Sequence, residues 1–393
     1  MFFVGIDVAS QKHDCCVLDA QGKVCAEFQF RNNREGFDYL FEILSQLDSA
    51  ENIKIGLEAT GIYSTNLLAF LRRNGFEATT FNPLHIKKRL SATTLRKTKT
   101  DKSDAKFIAD TVMHETSQPD TPVSYHISEL KSLTRFRFQL VQDCSRAKIQ
   151  AKAALPTLFP EFSSAFSDVF GASAKAILSK YPSAADVANC RISSLEKVLS
   201  SASRGRFGRA KAEELKQLAK QSIGVFSAAK ALALQSYLQQ IQLFEAQVAE
   251  VDRQIKAIMD EIDSPILSVP GIGYTLGATI LAEIGDVRRF SSPAKLLAFA
   301  GMEPSIYQSG NFKPSSGKMV KRGSPHLRWA LGQAARLVPQ YTHTFSLYLD
   351  KKLSENKHYS VATSHVAKKL VRVLFAILSK DVSFSDNISH FAA

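Results

Sequence analysis

The chain opens with an apolar, β-prone run, Met1 to Ser10, that contains one carboxylate, Asp7. This composition predicts a buried strand that starts almost at the first residue. A carboxylate in such a strand loses hydration, so it needs a cation, a metal ion or strong hydrogen-bond donors beside it. Two interpretations are open at this point: Asp7 is a turn or N-cap residue, or it is a metal ligand held on a central strand.

The next hundred residues alternate between the periodicity of strands and that of helices. Asp19-Ala20-Gln21-Gly22 has the composition of a hairpin turn between two β-prone runs. We expect further strands over 14–18, 24–30, 53–57 and 75–81, and helices over 37–44, 63–73 and 104–113. The order β-β-β-α-β-α-β-α, a meander followed by alternating helices and strands, predicts a mixed sheet covered by helices.

This order, with an acidic residue in the first strand, predicts the ribonuclease-H-like fold. Further acids are then expected at the end of the fourth strand and on the final helix. Glu58 directly follows an apolar run, and Asp101 and Asp104 are three residues apart, hence on one helical face. The competing sugar-kinase and actin fold would need a second strand-turn of this kind and a Gly-Gly segment downstream, and we find neither in the sequence.

Four carboxylates that converge on one site repel one another and cannot all ionise without bound cations. Two divalent ions roughly 3.5–4 Å apart would offset this repulsion, activate a nucleophile and stabilise the leaving oxygen in phosphoryl transfer. Oxygen ligands favour Mg²⁺, with Mn²⁺ as the alternative. Each acid taken singly is also explained as a surface or capping residue, but the four together favour a metal site.

The chain is strongly basic, with 50 Lys and Arg residues against 37 Asp and Glu, a formal net charge of +13. Such a surface favours a polyanionic partner, because phosphate contacts release counterions. Seven of these cations fall in a polar connection beside the proposed acids, where we expect them to follow a nucleic-acid backbone rather than form an ordinary solvated loop. They are Lys87, Lys88, Arg89, Arg96, Lys97, Lys99 and Lys102.

Other bulk properties predict a protein of a reducing compartment. No apolar run is long enough to cross a bilayer, and no basic leader precedes the first apolar residues, so we expect neither a membrane span nor a signal peptide. The five cysteines form an odd set without the paired spacing of metal ligands. We therefore expect a cytoplasmic protein.

The middle of the chain has two long helical patterns. Residues 129–154 have a helical composition, and we expect Pro156 and Pro160 to end that helix. Apolar residues alternate by three and four over four heptads between Leu234 and Ile262, which predicts a coiled coil. The pattern leaves open whether its partner is the helix at 129–154 or another subunit.

The C-terminal part begins after Pro265, which breaks the long helix. The following Val269-Pro270-Gly271-Ile272-Gly273 has the form of a helix-hairpin-helix turn. Gly271 and Gly273 would let backbone N–H groups approach a phosphate, although a tight turn used only for packing would employ the same glycines.

Ser309 precedes a glycine in a polar loop that is rich in cations. A serine placed in this way can attack phosphorus and hold a phosphoserine ester that is later reversed. Surface Ser-Gly turns are common, so spacing alone does not separate a nucleophile from a turn. The neighbouring cations expected to bind phosphate are Lys318, Lys321 and Arg322.

Several of these segments, taken in order, resemble a known family. They are Gly5-Ile6-Asp7-Val8, Glu58-Ala59-Thr60-Gly61-Ile62-Tyr63, Lys99-Thr100-Asp101-Lys102-Ser103-Asp104-Ala105, Pro270-Gly271-Ile272-Gly273, Phe299-Ala300-Gly301, Gln308-Ser309-Gly310 and Lys321-Arg322-Gly323. In combination they resemble the DEDD transposases of the IS110 and IS1111 insertion-sequence group. The resemblance extends over nearly the whole chain.

The resemblance implies a RuvC-like nuclease domain in which Asp7, Glu58, Asp101 and Asp104 bind Mg²⁺, and a separate domain whose nucleophile is Ser309. It implies that a structured bridge RNA pairs with donor and target DNA. It also implies a dimer of dimers in which the RuvC-like domain of one subunit and the serine domain of another share an active site. The protein is then expected in prokaryotic cytoplasm, associated with the nucleoid.

We therefore expect three domains: a RuvC-like α/β domain at 1–122, a helical spacer with a coiled coil at 123–262, and a mainly helical transposase domain at 263–393. The predicted function is a recombinase that cuts and rejoins DNA strands for transposition. Two alternatives stay open, a RuvC-like structure-specific endonuclease that hydrolyses with water and a nucleic-acid-binding regulator without catalysis.

Overall fold

The computed structural model of the chain describes residues 1–58, 63–81, 86, 101–114, 125–304 and 319–386. The chain divides into two compact units, Met1–Pro122 and Val123–Ala393, which are described separately. The first contains a five-stranded sheet with helices, and the regular structure described in the second is helical. Within the described ranges, no helix is both long and apolar enough to cross a membrane.

The first unit is organised around a sheet whose central strand is the opening strand. The strands are β1 (Phe2–Asp7), β2 (Lys12–Leu18), β3 (Val24–Arg31), β4 (Ile53–Glu58) and β5 (Glu77–Phe81). They lie in the order β3-β2-β1-β4-β5, antiparallel from β3 to β1 and parallel from β1 to β5. The predicted mixed sheet is confirmed.

Three helices described in this unit follow the predicted order. They are α1 (Arg34–Leu47), α2 (Tyr63–Arg73) and α3 (Asp101–His114). The first begins at a cap, where the Gly36 N–H donates to the Asn33 side-chain oxygen at 2.9 Å. The β2–β3 hairpin turns at the predicted place, with the Gly22 N–H donating to the Asp19 carbonyl at 3.1 Å.

Some element bounds differ from those predicted. β2 and β3 are longer, because their ladder continues past the apolar run through the pairs Lys12↔Arg31 and His13↔Phe30. β5 is shorter than the predicted 75–81, because Gly75 has a φ of 81° in the left-handed region and ends the preceding helix instead.

The two faces of the sheet are covered by different helices. Alternate residues of β1 and β4, such as Val4 and Ile55, are buried in a core shared with α1 and α2. The opposite face carries Gly5 and Gly56, which are partners in the parallel register of β1 and β4. This second face is the one that α3 covers.

The α3 backbone lies directly on these two glycines. A Cβ atom added at Gly5 would stand 2.1 Å from the Ala105 carbonyl oxygen and 2.3 Å from the Ala109 nitrogen. One added at Gly56 would stand 2.3 Å from Val112 Cγ2. Because helix backbone meets strand backbone at Gly5, a side chain there would displace α3.

The α3 helix runs antiparallel to β1. Its C-terminal turn lies near the β2–β3 hairpin, where the Met113 sulfur is 3.7 Å from the Cβ position of Gly22. That hairpin is at the end of the sheet where β1 starts, since Phe3 pairs with Leu18. The N-terminal turn of α3 therefore lies toward the carboxyl ends of β1 and β4.

The second unit begins with the long helix α4 (Tyr125–Leu158), continues through five shorter helices and reaches a second long helix, α10 (Ala228–Ile262). The shorter helices are α5 (Phe162–Ala165), α6 (Ala172–Lys180), α7 (Ala184–Asn189), α8 (Ile192–Ser203) and α9 (Arg209–Lys220). The two long helices pack together in opposite directions, as shown by the contacts of Arg137 with Asp252 and of Lys230 with Thr157.

The apolar stripe of α10 is buried in cores that include α4. Leu234 and Ile241 share one core with Cys144, and Ile255 shares another with Leu130. The partner that the sequence pattern left open is thus α4 of the same chain. Coiled-coil geometry itself stays a prediction.

The prediction that Pro156 ends the first long helix is wrong. Pro156 lies within α4, which continues to Leu158. A proline removes one helical hydrogen bond, but the ladder resumes beyond it, since the Phe159 N–H donates to the Leu155 carbonyl at 2.8 Å.

The C-terminal part is a set of helices that follows a 3₁₀ turn at Pro265–Ser268. They are α11 (Tyr274–Ile284), α12 (Pro293–Phe299), α13 (Pro325–Tyr341), α14 (His343–Ser354) and α15 (Tyr359–Lys380). One hydrophobic core joins them to the adjoining ends of the long helices, for example at Leu130 and Ile255. The division of this unit at residue 262 stays a prediction.

Replacing Gly5 with alanine should destabilise the first unit by about 3 kcal/mol, because the added methyl group meets backbone atoms of α3 that cannot rotate away. Hydrogen exchange of the β1 and α3 amides in the full chain measures this local free energy. The control is Gly332→Ala in α13, where no described atom lies within 4 Å of the Cβ position and alanine should stabilise the helix by about 0.5–1 kcal/mol. Unchanged protection of β1 and α3 in Gly5→Ala would contradict the close packing.

Candidate active site

Asp7 and Glu58 are the last residues of two adjacent parallel strands, β1 and β4. Each stands two positions after the glycine that contacts α3, and side chains two apart in a strand lie on the same face. Since Gly5 and Gly56 are in register, Asp7 and Glu58 lie side by side at the carboxyl edge of the sheet, on its α3 face.

Asp104 approaches the same edge from the helix. It lies in the first turn of α3, is 7% exposed, and is followed by Ala105, which contacts the sheet. Because α3 is antiparallel to β1, this turn lies toward Asp7 and Glu58. Asp101 is the first residue of α3, and its side chain falls outside the described part of the chain.

This donor set fits a divalent cation in its chemistry. Carboxylate oxygens are the ligands that Mg²⁺ and Mn²⁺ prefer, and all three described acids supply them. Within the described residues, no three His, Cys, Asp or Glu side chains are placed to hold an ion together. The described acids are three of the four predicted ligands. The agreement with a divalent cation therefore comes from their carboxylate chemistry and from the positions of β1, β4 and α3, which carry them.

A further acid on this face escaped the sequence prediction. Asp14 of β2 is opposite Asp7 in the antiparallel register, so both side chains lie on the α3 face. Asp14 is 4% exposed and accepts a hydrogen bond from Gln29 Nε2 at 2.7 Å. The alternation of Asp14 with Cys16 was visible in the sequence, but the register that places it beside Asp7 was not.

The loop that follows β1 is held by a buried histidine. The Ala9 N–H donates to His13 Nδ1 at 3.3 Å, and the His13 ring packs against Phe30 and Phe37. Burial lowers the pKa of His13, so the ring is neutral at pH 7 and Nδ1 stays an acceptor. This hydrogen bond fixes the backbone two residues after Asp7.

Most of the predicted nucleic-acid contacts, and the predicted nucleophile, lie outside the described residues. They are Lys87, Lys88, Arg89, Arg96, Lys97, Lys99, Ser309 and Lys318, together with the side chain of Lys102. Lys321 and Arg322 are described, and both are exposed. Their contacts with nucleic acid stay predictions.

The chain on either side of segment 305–318, which contains Ser309 in the sequence, forms what we call the loop frame, residues 299–304 and 319–324. Its two halves are adjacent backbones. The contacts are Val320 N–H to the Glu303 carbonyl at 3.0 Å, Lys321 N–H to the Gly301 carbonyl at 3.0 Å, and an antiparallel bridge between Pro304 and Met319. The base from which segment 305–318 departs and returns is therefore fixed.

A buried carboxylate in α11, Glu283, ties the loop frame to α4. Glu283 is 3% exposed and receives two hydrogen bonds from Arg135, from Nε at 2.7 Å and from Nη2 at 3.1 Å. The Ser324 hydroxyl also donates to it at 2.8 Å and accepts from the Leu327 N–H at 3.1 Å. One serine thus links the end of the loop frame both to Glu283 and to the start of α13.

The electrostatics around Glu283 are dominated by cations. Burial raises the pKa of Glu283, but hydrogen bonds from Arg135 and Ser324 and the charges of Arg135 and Lys131 lower it overall. Burial lowers the pKa of Lys131, as do Arg135 and Arg289, whereas Glu283 raises it. Two cations, Arg135 and Lys131, therefore act on one carboxylate, which leaves net positive charge beside the loop frame.

The turn before α11 gives different roles to its two glycines. Gly271 has a φ of 92°, and a Cβ atom there would be 3.0 Å from Val338 Cα, so packing accounts for this glycine. Gly273 is the N-cap of α11, and no described atom lies within 4 Å of its Cβ position. A phosphate could approach the backbone at Gly273; the contact itself stays a prediction.

Glu283→Gln should destabilise the second unit by about 1.5–3 kcal/mol at pH 7, because it removes the charge from hydrogen bonds that Arg135 and Ser324 donate. The folded pKa of Glu283 is lowered, so its contribution is complete above the unfolded value of about 4.3 and is lost as the pH falls through the folded value. Urea unfolding followed by the fluorescence of Trp329, the single tryptophan, at neutral and acidic pH measures both effects.

The control for this prediction is Glu261→Gln, which alters an exposed carboxylate paired with His126. It should change the free energy of unfolding by less than about 0.5 kcal/mol. A Glu283→Gln deficit that stays constant from neutral to strongly acidic pH would contradict the ionised state of Glu283.

Comparison with protein families identifies two matching models. Residues 4–160 match the model DEDD_Tnp_IS110, described as a transposase, and residues 263–349 match a model described as the transposase IS116/IS110/IS902 family. Together the two matches cover more than half of the chain. The first range includes the four predicted acids, and the second includes Ser309 and Glu283.

Individual relatives agree with these matches. The chain is 24% identical over 384 residues to the 44.8 kDa protein of insertion element IS116 from Streptomyces clavuligerus, covering 96% of this chain and 94% of that protein. It is 28% identical over 173 residues to the transposase for insertion sequence element IS1111A from Coxiella burnetii, covering 42% and 47%. The chain therefore belongs to the IS110/IS116 family of insertion-sequence DNA transposases.

Proposed function

We propose that this transposase cuts and rejoins DNA with a metal-binding acidic site on a ribonuclease-H-like (RuvC-like) domain and a serine nucleophile elsewhere in the chain. The observation that carries the proposal is the placement of Asp7, Glu58 and Asp104 toward one edge of the sheet. Because the chain belongs to a family of DNA transposases, carboxylates brought together in this way support a role in phosphoryl transfer.

The four acids Asp7, Glu58, Asp101 and Asp104 would hold Mg²⁺ or Mn²⁺ through their carboxylate oxygens. Bound there, divalent ions would polarise the phosphoryl group and promote ionisation of the attacking hydroxyl. The fold of the chain contributes by positioning these carboxylates. Strand ends fix the backbones of Asp7 and Glu58, and the contact of α3 with Gly5 fixes that of Asp104.

Ser309 is the proposed nucleophile. Its Oγ would bond to the phosphorus of the cleaved phosphodiester while the bond from phosphorus to one deoxyribose oxygen breaks, with the serine proton passing to solvent and the leaving oxygen taking up a proton. Attack by a hydroxyl of the new strand would reverse this step and rejoin the DNA. The loop frame supports this role, because it fixes the base of segment 305–318.

We also propose that a bridge RNA selects the donor and target DNA and that the working form is a dimer of dimers. The net charge of +13 supports simultaneous contact with several phosphate backbones. The acids and Ser309 belong to different units of the chain, which is consistent with different subunits supplying them to one reaction.

Asp104→Asn should lower strand cleavage on the order of a thousandfold and leave DNA binding intact, because it removes one ligand charge without changing side-chain shape. The measurement is cleavage of a plasmid that carries the element and its flanks, with the RNA that co-purifies with the protein, at several Mn²⁺ and Mg²⁺ concentrations. Asp110→Asn near the other end of α3 is the matched control and should cleave normally. Equal cleavage by both variants would contradict the metal site.

Ser309→Ala should abolish a covalent protein–DNA adduct, because alanine has no oxygen to form the ester. Denaturing gels of reactions with end-labelled DNA detect the adduct in the unmodified protein, and Ser316→Ala in the same segment should still form it. Cleavage without any adduct in the unmodified protein would favour a RuvC-like endonuclease that uses water. Full strand exchange by Ser309→Ala would refute the nucleophile.

A further inference from the structure

The second unit contains a pocket that the proposed chemistry does not use. It is a cavity of about 260 Å³ at the junction of α4, α11 and α13. This is smaller than the roughly 300–1,000 Å³ of sites for drug-sized ligands, so it suits a single planar ring system. The lining residues are Thr134, Arg137, Phe138, Val141, Gln142, Thr275, Thr279, His326 and Trp329. We call it the aromatic pocket.

Three rings form one wall of the aromatic pocket. Phe138 meets His326 nearly edge-on, with centroids 5.0 Å apart, and meets Trp329 at 5.5 Å in a similar geometry. Trp329 is the only tryptophan of the chain and is 36% exposed. An indole lining an open cavity leaves a large apolar and polarisable surface available to a stacking partner.

The polar groups of the pocket are mostly engaged within the protein. The Thr134 hydroxyl donates to the Leu130 carbonyl at 2.7 Å, and the Thr279 hydroxyl donates to the Thr275 carbonyl at 2.7 Å. Arg137 makes a bidentate ion pair with Asp252, in which Nε donates to Oδ1 at 2.6 Å and Nη2 donates to Oδ2 at 3.1 Å. Apart from Gln142 and the nitrogens of His326, the pocket therefore presents rings and methyl groups, which favours recognition by stacking over recognition of hydrogen-bonding edges.

Positive charge adjoins the pocket. Burial lowers the pKa of His326, and the charge of Arg135 lowers it further, so the ring is neutral at pH 7. The Arg135 side chain is 46% exposed and stands one turn from Phe138 along α4. His326 itself lies in the first turn of α13, whose N-terminus favours an anion. An apolar slot whose rim has the half-exposed Arg135, itself paired with Glu283, and a helix N-terminus complements a nucleotide, in which a planar base is joined to a phosphate.

We propose that the aromatic pocket receives one unpaired base of the DNA substrate, turned out of the duplex and stacked on Trp329. This inference rests on the proposed action on DNA, and adds a site that distinguishes unpaired from paired strands. Because the threonine hydroxyls and Arg137 are engaged, purines and pyrimidines should both enter with little preference. An extrahelical base avoids the cost of unpairing, so a bulged duplex is the best probe.

The test uses the intact protein and three short duplexes of one sequence: fully paired, with one unpaired adenine, and with an abasic residue in place of that adenine. Fluorescence of Trp329 reports stacking directly, because no other tryptophan is present. We expect saturable quenching by the bulged duplex and little by the other two. Equal quenching by all three duplexes, when all three are bound, would contradict binding of an unpaired base in the aromatic pocket. The proposed cleavage and rejoining of DNA would not be affected by that result.

Variants test the same inference by affinity for dye-labelled DNA. Trp329→Ala should lower the preference for bulged over paired duplex by about 5- to 150-fold, the effect of about 1–3 kcal/mol per stacked base, and Trp329→Phe should retain much of it. The control is Phe136→Ala, on α4 but outside the pocket lining and 51% exposed, which should keep the preference. A preference unchanged in Trp329→Ala, or stronger quenching by single-stranded RNA than by the bulged DNA, would refute the assignment.

Discussion

The contact between the α3 backbone and the paired glycines Gly5 and Gly56 is the constraint on which the first unit depends. A side chain at Gly5 would hold the helix away from the sheet, and Asp104 would move away from the strand ends with it. With glycines there, strand alternation carries Asp7 and Glu58 onto the same face two residues later. The same small residues that allow close packing therefore position the acids.

In the second unit, hydrogen bonds and an ion pair hold the chain on either side of segment 305–318. Segment 305–318 contains the proposed nucleophile, and its flanks are held by backbone hydrogen bonds and by the Ser324–Glu283 contact. Glu283 is buried, which is unfavourable for a carboxylate, and Arg135 offsets this with two hydrogen bonds. Lys131 also acts on Glu283, so two cationic side chains accompany one carboxylate beside the loop frame and favour a phosphate backbone there.

Local patterns in the sequence were sufficient to predict the order of strands and helices, the location of Asp7 in the first strand and that of Glu58 at the end of the fourth. Those features depend on apolar periodicity within one element. The pairing of Asp14 with Asp7 depends on strand register, and that of Arg135 with Glu283 joins residues 148 apart. The sequence indicates neither, because nothing in a single element specifies its partner in space. Pro156 was misjudged for a related reason, since packing of α4 against α10 stabilises the helix beyond the proline.

The central claim is that the acids at the carboxyl edge of the sheet bind divalent ions for phosphoryl transfer. A crystal of the protein grown with Mn²⁺ and its nucleic-acid substrate tests this most directly, because anomalous scattering locates Mn²⁺ independently of any assumed mechanism. The account predicts two peaks roughly 3.5–4 Å apart, bound by oxygens of Asp7, Glu58, Asp101 and Asp104. Saturating Mn²⁺ that binds elsewhere and leaves these carboxylates without an ion would contradict it.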